Sequence, residues 1–414
     1  MVNVPCYSCR GKLSCGRANC PIYYSNKAMF KVVEGLKEDF FGSSPPSVFV
    51  GSKLRYPAVN VGILSPPEKV ENAWVFDAQN YWSKENFGIK EIINMRASLI
   101  NSRFRSNVYE VRNEGKFLAL AREIGMAMKP VDVEIELKKK IKLNLDFDNV
   151  NLPMGPRGQL KKVKITENPK IPMKVDKVVS DNDLKAADAV KYLYENEFDE
   201  HSLSKLLSIG VLGLRKGRKL VPTRWSITSI DDMLGKELKS RIQYYNEVEE
   251  HMLYFGHFMG NYYLIMYFPD AVSYELFEMY LPRSAWNPSE QIRVASDYES
   301  CYGRKSYASE TVGGYYASRL SVLEHLNKIK RKASVLVFRF ETADYWASLG
   351  VWVVRSAARK TLETKPLIFK DKEKMLEYAK NLVRENFRYD LGYLYKRSKL
   401  LENMKQKKIS EFFS

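Results

Sequence analysis

Four of the chain's five cysteines fall within its first twenty residues, in the run Cys6-x2-Cys9-x5-Cys15-x4-Cys20. This constrains the fold more than any other feature, because whatever follows must leave these four sulfurs together. Four thiolates at such separations can wrap one tetrahedral ion, the short first pair making a knuckle and the others closing the site. Gly11 and Gly16 supply backbone freedom beside the ligands. Arg10, Lys12 and Arg17 offset the negative charge that thiolates place on a divalent ion. Zn2+ suits this donor set, and an iron–sulfur cluster is also satisfied by four cysteines. Two disulfides would need an oxidising compartment that nothing else in the chain supports. Residues 1–25 are therefore read as a metal-binding knuckle, either a staple for the N-terminus or a nucleic-acid contact. Cys301 stands apart and is expected to be a small buried hydrophobe.

Lys and Arg number 66 against 49 Asp and Glu, a formal charge of +17 with a pI near 9.4. An excess of that size makes a polyanion the default partner. Hydrophobic residues at 45% exclude a disordered chain and allow a large core. No apolar run reaches the roughly 18 residues of a membrane span, and the Met1-Val2-Asn3-Val4-Pro5 start carries no hydrophobic signal. A soluble cytoplasmic protein with no membrane partner is expected.

The body, residues 26–370, reads as α+β. Met29, Val32, Val33, Leu36 and Phe40 have helical spacing. Short β-rich runs broken by Gly and Pro follow over 43–62, with Gly51 and Gly62 where a backbone can approach a ligand or simply turn. Residues 84–129 are expected to be helical and carry Arg96, Arg103, Arg105, Arg112 and Arg122, Arg96 and Arg103 on one helix face. Alternation over Val131–Phe147 predicts half-buried strands. The stretch Pro153-Met154-Gly155-Pro156-Arg157-Gly158-Gln159-Leu160-Lys161-Lys162 is expected to be a loop, either a plain connection or one offering backbone N–H groups, Arg157, Lys161 and Lys162 to phosphate. It lacks Walker spacing. A polar stretch over 166–182 suits an internal boundary. A helical pair over 183–213 leads into a basic hairpin with Arg215, Lys216, Arg218, Lys219, Arg224 and Trp225, cations plus a stacking ring.

Aromatic strands over His251–Pro269 and Val272–Tyr280 are expected to form the central sheet. His251 and His257 have no third ligand nearby and read as core or edge residues. Asp297, Glu299 and Glu341 stand on or at the ends of strand-like runs, a frequent place for metal-dependent nuclease ligands, though no nuclease spacing surrounds them. A Lys-rich helical arm over 371–405 is expected to carry the tail.

That tail, residues 406–414, places Gln406, Ile409, Phe412 and Phe413 in the pattern Gln-x-x-Ile-x-x-Phe-Phe. One helical or 3₁₀ turn gathers the three apolar side chains into a wedge, with the Gln406 amide beside it. The pattern resembles the peptide by which replication and repair proteins dock on the sliding clamp PCNA. A flexible tether would raise its owner's effective concentration at that partner.

Cys6, Cys9, Cys15 and Cys20, the basic α+β body and Gln406, Ile409, Phe412 and Phe413 together resemble the archaeal Nre family of DNA-repair proteins. The Gly/Pro stretches near 45–62 and 153–159 and the Lys219–Ser226 stretch look familial as well. The resemblance implies a response to DNA damage together with PCNA, in an archaeal cytoplasm at the nucleoid, and implies no established active site. The function expected is a DNA-binding repair factor recruited to the clamp. The alternatives are an enzyme acting on damaged DNA, a nuclease or nucleotide-dependent transferase, and an RNA-binding protein.

Overall fold

The computed structural model describes residues 9–14, 19–143, 154–287 and 289–405. The chain divides into two units, Met1–Leu234 with Ala347–Leu349, and Gly235–Trp346 with Gly350–Ser414. The polar 166–182 stretch lies inside the first unit, where Val175 and Val178 bury one side of a short helix.

The first unit is built on strands β1 (Asp39–Ser44), β2 (Ser47–Val50), β3 (Ala58–Ser65), β4 (Ile100–Asn107), β5 (Val131–Leu137) and β6 (Arg157–Ile165). They form one sheet in the order β1-β5-β6-β4-β3-β2, in which only β4 and β6 run parallel among the described pairings. Its helices are α1 (Pro21–Val33), α2 (Gln79–Lys84), α3 (Ile89–Ser98), α4 (Lys116–Met126), α5 (Met173–Ser180), α6 (Ala186–Glu195) and α7 (Glu200–Ser208), and α8 (Thr223–Ile242) begins in it. Alternation produces β5 as expected, with Val131, Val133, Ile135 and Leu137 buried, but 138–143 form no further strand and 144–147 lie outside the described residues.

Two expectations about this unit are corrected. Residues 84–129 are not continuously helical, because β4 intervenes between α3 and α4 and puts Arg103 and Arg105 on a strand. The loop expected over 153–162 gives way to a strand at Arg157, where β6 starts, and Leu160 and Val163 anchor it in the core. Gly155 is small for another reason, since a Cβ there would stand 1.9 Å from the Leu99 carbonyl oxygen. At Gly62 the close neighbour is the protein's own Asn101 side chain, 1.9 Å from a built Cβ.

The second unit carries β7 (His251–Phe258), β8 (Asn261–Phe268), β9 (Tyr274–Tyr280), β10 (Arg293–Glu299), β11 (Ser334–Glu341) and β12 (Leu367–Phe369), in the order β10-β9-β11-β8-β7-β12. The helices are α9 (Val312–Ile329), α10 (Val351–Leu362), α11 (Lys372–Phe387), α12 (Gly392–Arg397) and α13 (Lys399–Asn403). Every residue of β11 is buried, and its alternation sorts Leu336, Phe338 and Phe340 to one face and Arg339 and Glu341 to the other.

The segment expected as a helical arm, 371–405, is helical and lies on the apolar face of this sheet. Met375, Ala379, Val383, Leu391, Leu394, Leu400 and Leu401 pack onto Leu264, Phe277, Phe338 and Phe340 in a single core cluster. Burying a side chain of that size stabilises by roughly 1.5–3 kcal/mol, so α11 to α13 are a structural layer. Cys301, expected buried, is exposed in the turn after β10.

Candidate nucleic-acid interface

The acids flagged in the second unit are occupied by the protein itself. Asp297 Oδ2 accepts from Thr311 N (2.8 Å), Thr311 Oγ1 (2.9 Å) and Glu310 N (3.1 Å), and its Oδ1 pairs with Arg304 at 3.0 Å. Glu299 receives Lys239 (2.7 Å), Arg319 (2.6 Å) and the Tyr315 hydroxyl (3.1 Å). Glu341 accepts from Arg339 and from Trp286 N, both at 3.0 Å, while Arg339 also donates to Glu278 at 2.6 Å. Burial alone would raise the Glu299 carboxyl, but Arg319 and Lys239 hold it below the ordinary range. Burial wins at Glu341 and pushes that carboxyl up. Among the described residues no group of three or more His, Cys, Asp or Glu is arranged to hold a metal ion. His251 lies against Phe268 and His257 stacks on Tyr262, as edge and core residues do.

The first unit hides a hub that sequence reasoning missed. Asp77 is buried, and Ser47 Oγ (2.5 Å), Gln79 Nε2 (2.9 Å) and the Arg96 guanidinium all donate to it, with His201 Nε2 3.3 Å away. Burial opposes the charge, yet His201 and Arg96 keep the carboxyl well below its usual range. Ser47 and His201 both meet the carboxylate and not one another, so this is no nucleophile–base pair. It fixes Arg96 inward, and the expected shared helix face with Arg103 does not exist.

For the N-terminal ligands, Cys9 and Cys20 are buried, while Cys6 and Cys15 lie outside the described residues. Lys12 N closes a turn on Cys9 O at 2.9 Å, with Gly11 at φ +77°, and Cys20 is the N-cap of α1. A thiolate is favoured at a helix N-terminus, which fits a metal ligand. Gln406, Ile409, Phe412 and Phe413 also lie outside the described residues.

The predicted basic residues separate into groups. Lys161 is engaged by Glu136 at 2.5 Å. Lys162 is exposed beside it, opposite Glu136 in the sheet register. The basic hairpin does not form: residues 215–217 make a 3₁₀ turn, and α8 starts at Thr223. Arg218 is a loop tie, donating to Gly213 O and Asp181 O, both at 2.8 Å. Arg215, Lys216, Lys219, Arg224 and Trp225 are exposed, Trp225 in the first turn of α8.

Arg157 falls into a different constellation. Register places Asn101 beside Arg157, Arg103 beside Gln159, and Arg105 beside Asn60, so Arg103, Arg105 and Arg157 share one sheet face. Arg105 and Arg157 are exposed and Arg103 is half-buried. Among the described residues no carboxylate forms an ion pair with any of the three. Burial, and after it the neighbouring Arg157, lower the Arg103 proton affinity. Two residues beyond the last registered pair, Ala58 with Asn107, stand Tyr56 and Tyr109. Their hydroxyls are 2.9 Å apart, and Arg112 lies 5.4 Å from the Tyr109 ring centroid. Unpaired planar cations followed by exposed rings can neutralise phosphates and stack a base.

The family model described as Archaeal Nre, N-terminal, matches residues 14–287, and that described as Archaeal Nre, C-terminal, matches residues 299–412. DNA repair protein NreA of Archaeoglobus fulgidus is 38% identical over 389 residues, covering 92% of this chain and 95% of that protein. DNA repair protein NreA of Haloferax volcanii is 39% identical over 331 residues, 79% of each chain. DNA repair protein NreB of Archaeoglobus fulgidus is 33% identical over 408 residues, covering 98% of this chain and 99% of that protein. No solved structure matches.

Proposed function

Because the chain belongs to the archaeal Nre family, we propose that it is a DNA-repair factor that binds DNA through its first unit and is brought to PCNA by residues 406–414. The observation that carries the DNA contact is the row Arg103, Arg105 and Arg157, exposed or half-buried on one sheet face and without carboxylate partners among the described residues. Arg215, Lys216, Lys219 and Arg224 are further exposed cations of the same unit, and Trp225 adds an exposed ring. Relatives named for DNA repair over nearly the whole chain favour DNA over RNA as the polyanion. The nuclease alternative has its acids engaged by Lys239, Arg304, Arg319 and Arg339. Cys6, Cys9, Cys15 and Cys20 hold a zinc ion in this reading, supported by the burial of Cys9 and Cys20.

Deleting residues 406–414 separates the two halves of the proposal. Clamp binding is lost in a pull-down with PCNA, while DNA affinity by fluorescence anisotropy stays within about twofold, since the tail supplies only Lys407 and Lys408 as cations. Clamp binding that survives the deletion refutes the tail assignment.

A further inference from the structure

β4 and β6 stay paired only from Asn101–Arg157 to Arg103–Gln159. Beyond that step β4 continues beside β3, and β6 turns to β5 with Leu160 opposite Leu137. The two parallel strands part, and a cleft of about 550 Å³ opens between them. This volume lies within the range of small-molecule sites.

Three cations line the cleft: Arg105 from β4, Lys138 just past β5, and Lys116 at the start of α4. All three are exposed, and none forms an ion pair among the described residues. Phe104 and Phe117 line the same space with ring centroids 5.6 Å apart, and Gln159 offers both an amide donor and an acceptor. The one acid present, Glu110, is engaged by Ser106 Oγ and by Asn107 N at 3.2 Å. Three cations lining one cleft favour an anion. A bare phosphate would leave most of the volume and both rings unused, so the anion belongs to something planar and partly apolar.

We propose that this cleft binds one nucleoside phosphate, with the phosphate among Arg105, Lys116 and Lys138, the base against Phe104 and Phe117, and a polar base edge on the Gln159 amide. The same chemistry is offered by a free mononucleotide or by the 5′-terminal nucleotide of a DNA strand. The second source rests on the DNA-binding reading above, and the first does not.

The test uses the full chain and a Lys116→Gln/Lys138→Gln variant whose fold is checked by an unchanged Tm. Calorimetry with dAMP and with inorganic phosphate measures the free ligand. Anisotropy compares a 5′-phosphorylated single strand with its 5′-hydroxyl counterpart. If the source is free nucleotide, dAMP binds at least tenfold tighter than phosphate, the variant loses at least tenfold, and the strand is indifferent to its 5′ phosphate. If the source is a strand end, removing the 5′ phosphate weakens the parent at least fivefold and the variant not at all. The proposal is overturned if dAMP and the 5′ phosphate are both without effect, or if their effects persist undiminished in the variant. Either result can coexist with salt-sensitive DNA binding, so failure here is distinguishable from failure of the DNA-binding reading.

Discussion

Arg339→Met probes whether the buried acids of the second unit are structural. Arg339 donates to Glu278 at 2.6 Å, to Glu341 at 3.0 Å and to Asn261 at 2.6 and 3.0 Å, and all four residues are buried. Removing the cation leaves two carboxylates facing each other without a counter-charge, a change that costs about 3–5 kcal/mol. The stranded acids can escape by taking up protons, so their folded pKa values rise above the unfolded ones. Stability bound to such a shift is present at low pH and lost as pH rises. Each carboxylate that binds a proton in the fold recovers about 1.4 kcal/mol per pH unit. Lowering the pH from 7.5 to 5.5 should therefore return about 2–3 kcal/mol of the deficit if one acid is protonated. Urea denaturation followed by circular dichroism at the two pH values measures both quantities. A variant within about 1 kcal/mol of the parent at pH 7.5 would refute the reasoning, because a buried cation with these partners cannot be removed so cheaply.

Four further outcomes are expected. Burial and Lys328 lower the His325 imidazole to about 4, against about 6.5 in an unfolded chain. Unfolding therefore takes up a proton between those values and stability falls as pH drops through them, a slope that His325→Phe should flatten in a pH series of Tm. Met375→Ala should cost about 2–5 kcal/mol by chemical denaturation, and truncation after residue 370 should unfold the second unit, because α11 to α13 close its core. If the four cysteines hold one zinc ion as proposed, Cys9→Ala and Cys20→Ala should each lower the zinc content of the purified protein, read by a thiolate-sensitive chelator assay.

What was legible in the sequence was short-range. β5 could be read because Val131, Val133, Ile135 and Leu137 alternate without interruption. β6 could not, because a bulge at its pairing with β5 breaks the period and Gly155 and Pro156 suggest a loop. The seven-residue spacing of Arg96 and Arg103 fits a helix face, but the period of two in Ile100-Asn101-Ser102-Arg103-Phe104-Arg105 fits the strand that forms. In α11 the lysines stand among Met375, Ala379 and Val383, an i, i+4, i+8 stripe that buries one face of the helix. The Asp77 hub joins Ser47, Arg96 and His201 only through tertiary structure, and no local pattern marks it. The cleft between β4 and β6 depends on where two strands separate, which is a property of pairing and not of either segment alone.

The most direct measurement is the salt dependence of DNA affinity for the parent and for an Arg103→Gln/Arg105→Gln/Arg157→Gln variant, between about 50 and 200 mM salt. Each phosphate contact contributes about −0.9 to the slope of log K against log salt. The proposal predicts a steep parent slope that becomes shallower by about 2–3 in the variant, with Tm unchanged. An identical slope for the two proteins would contradict it.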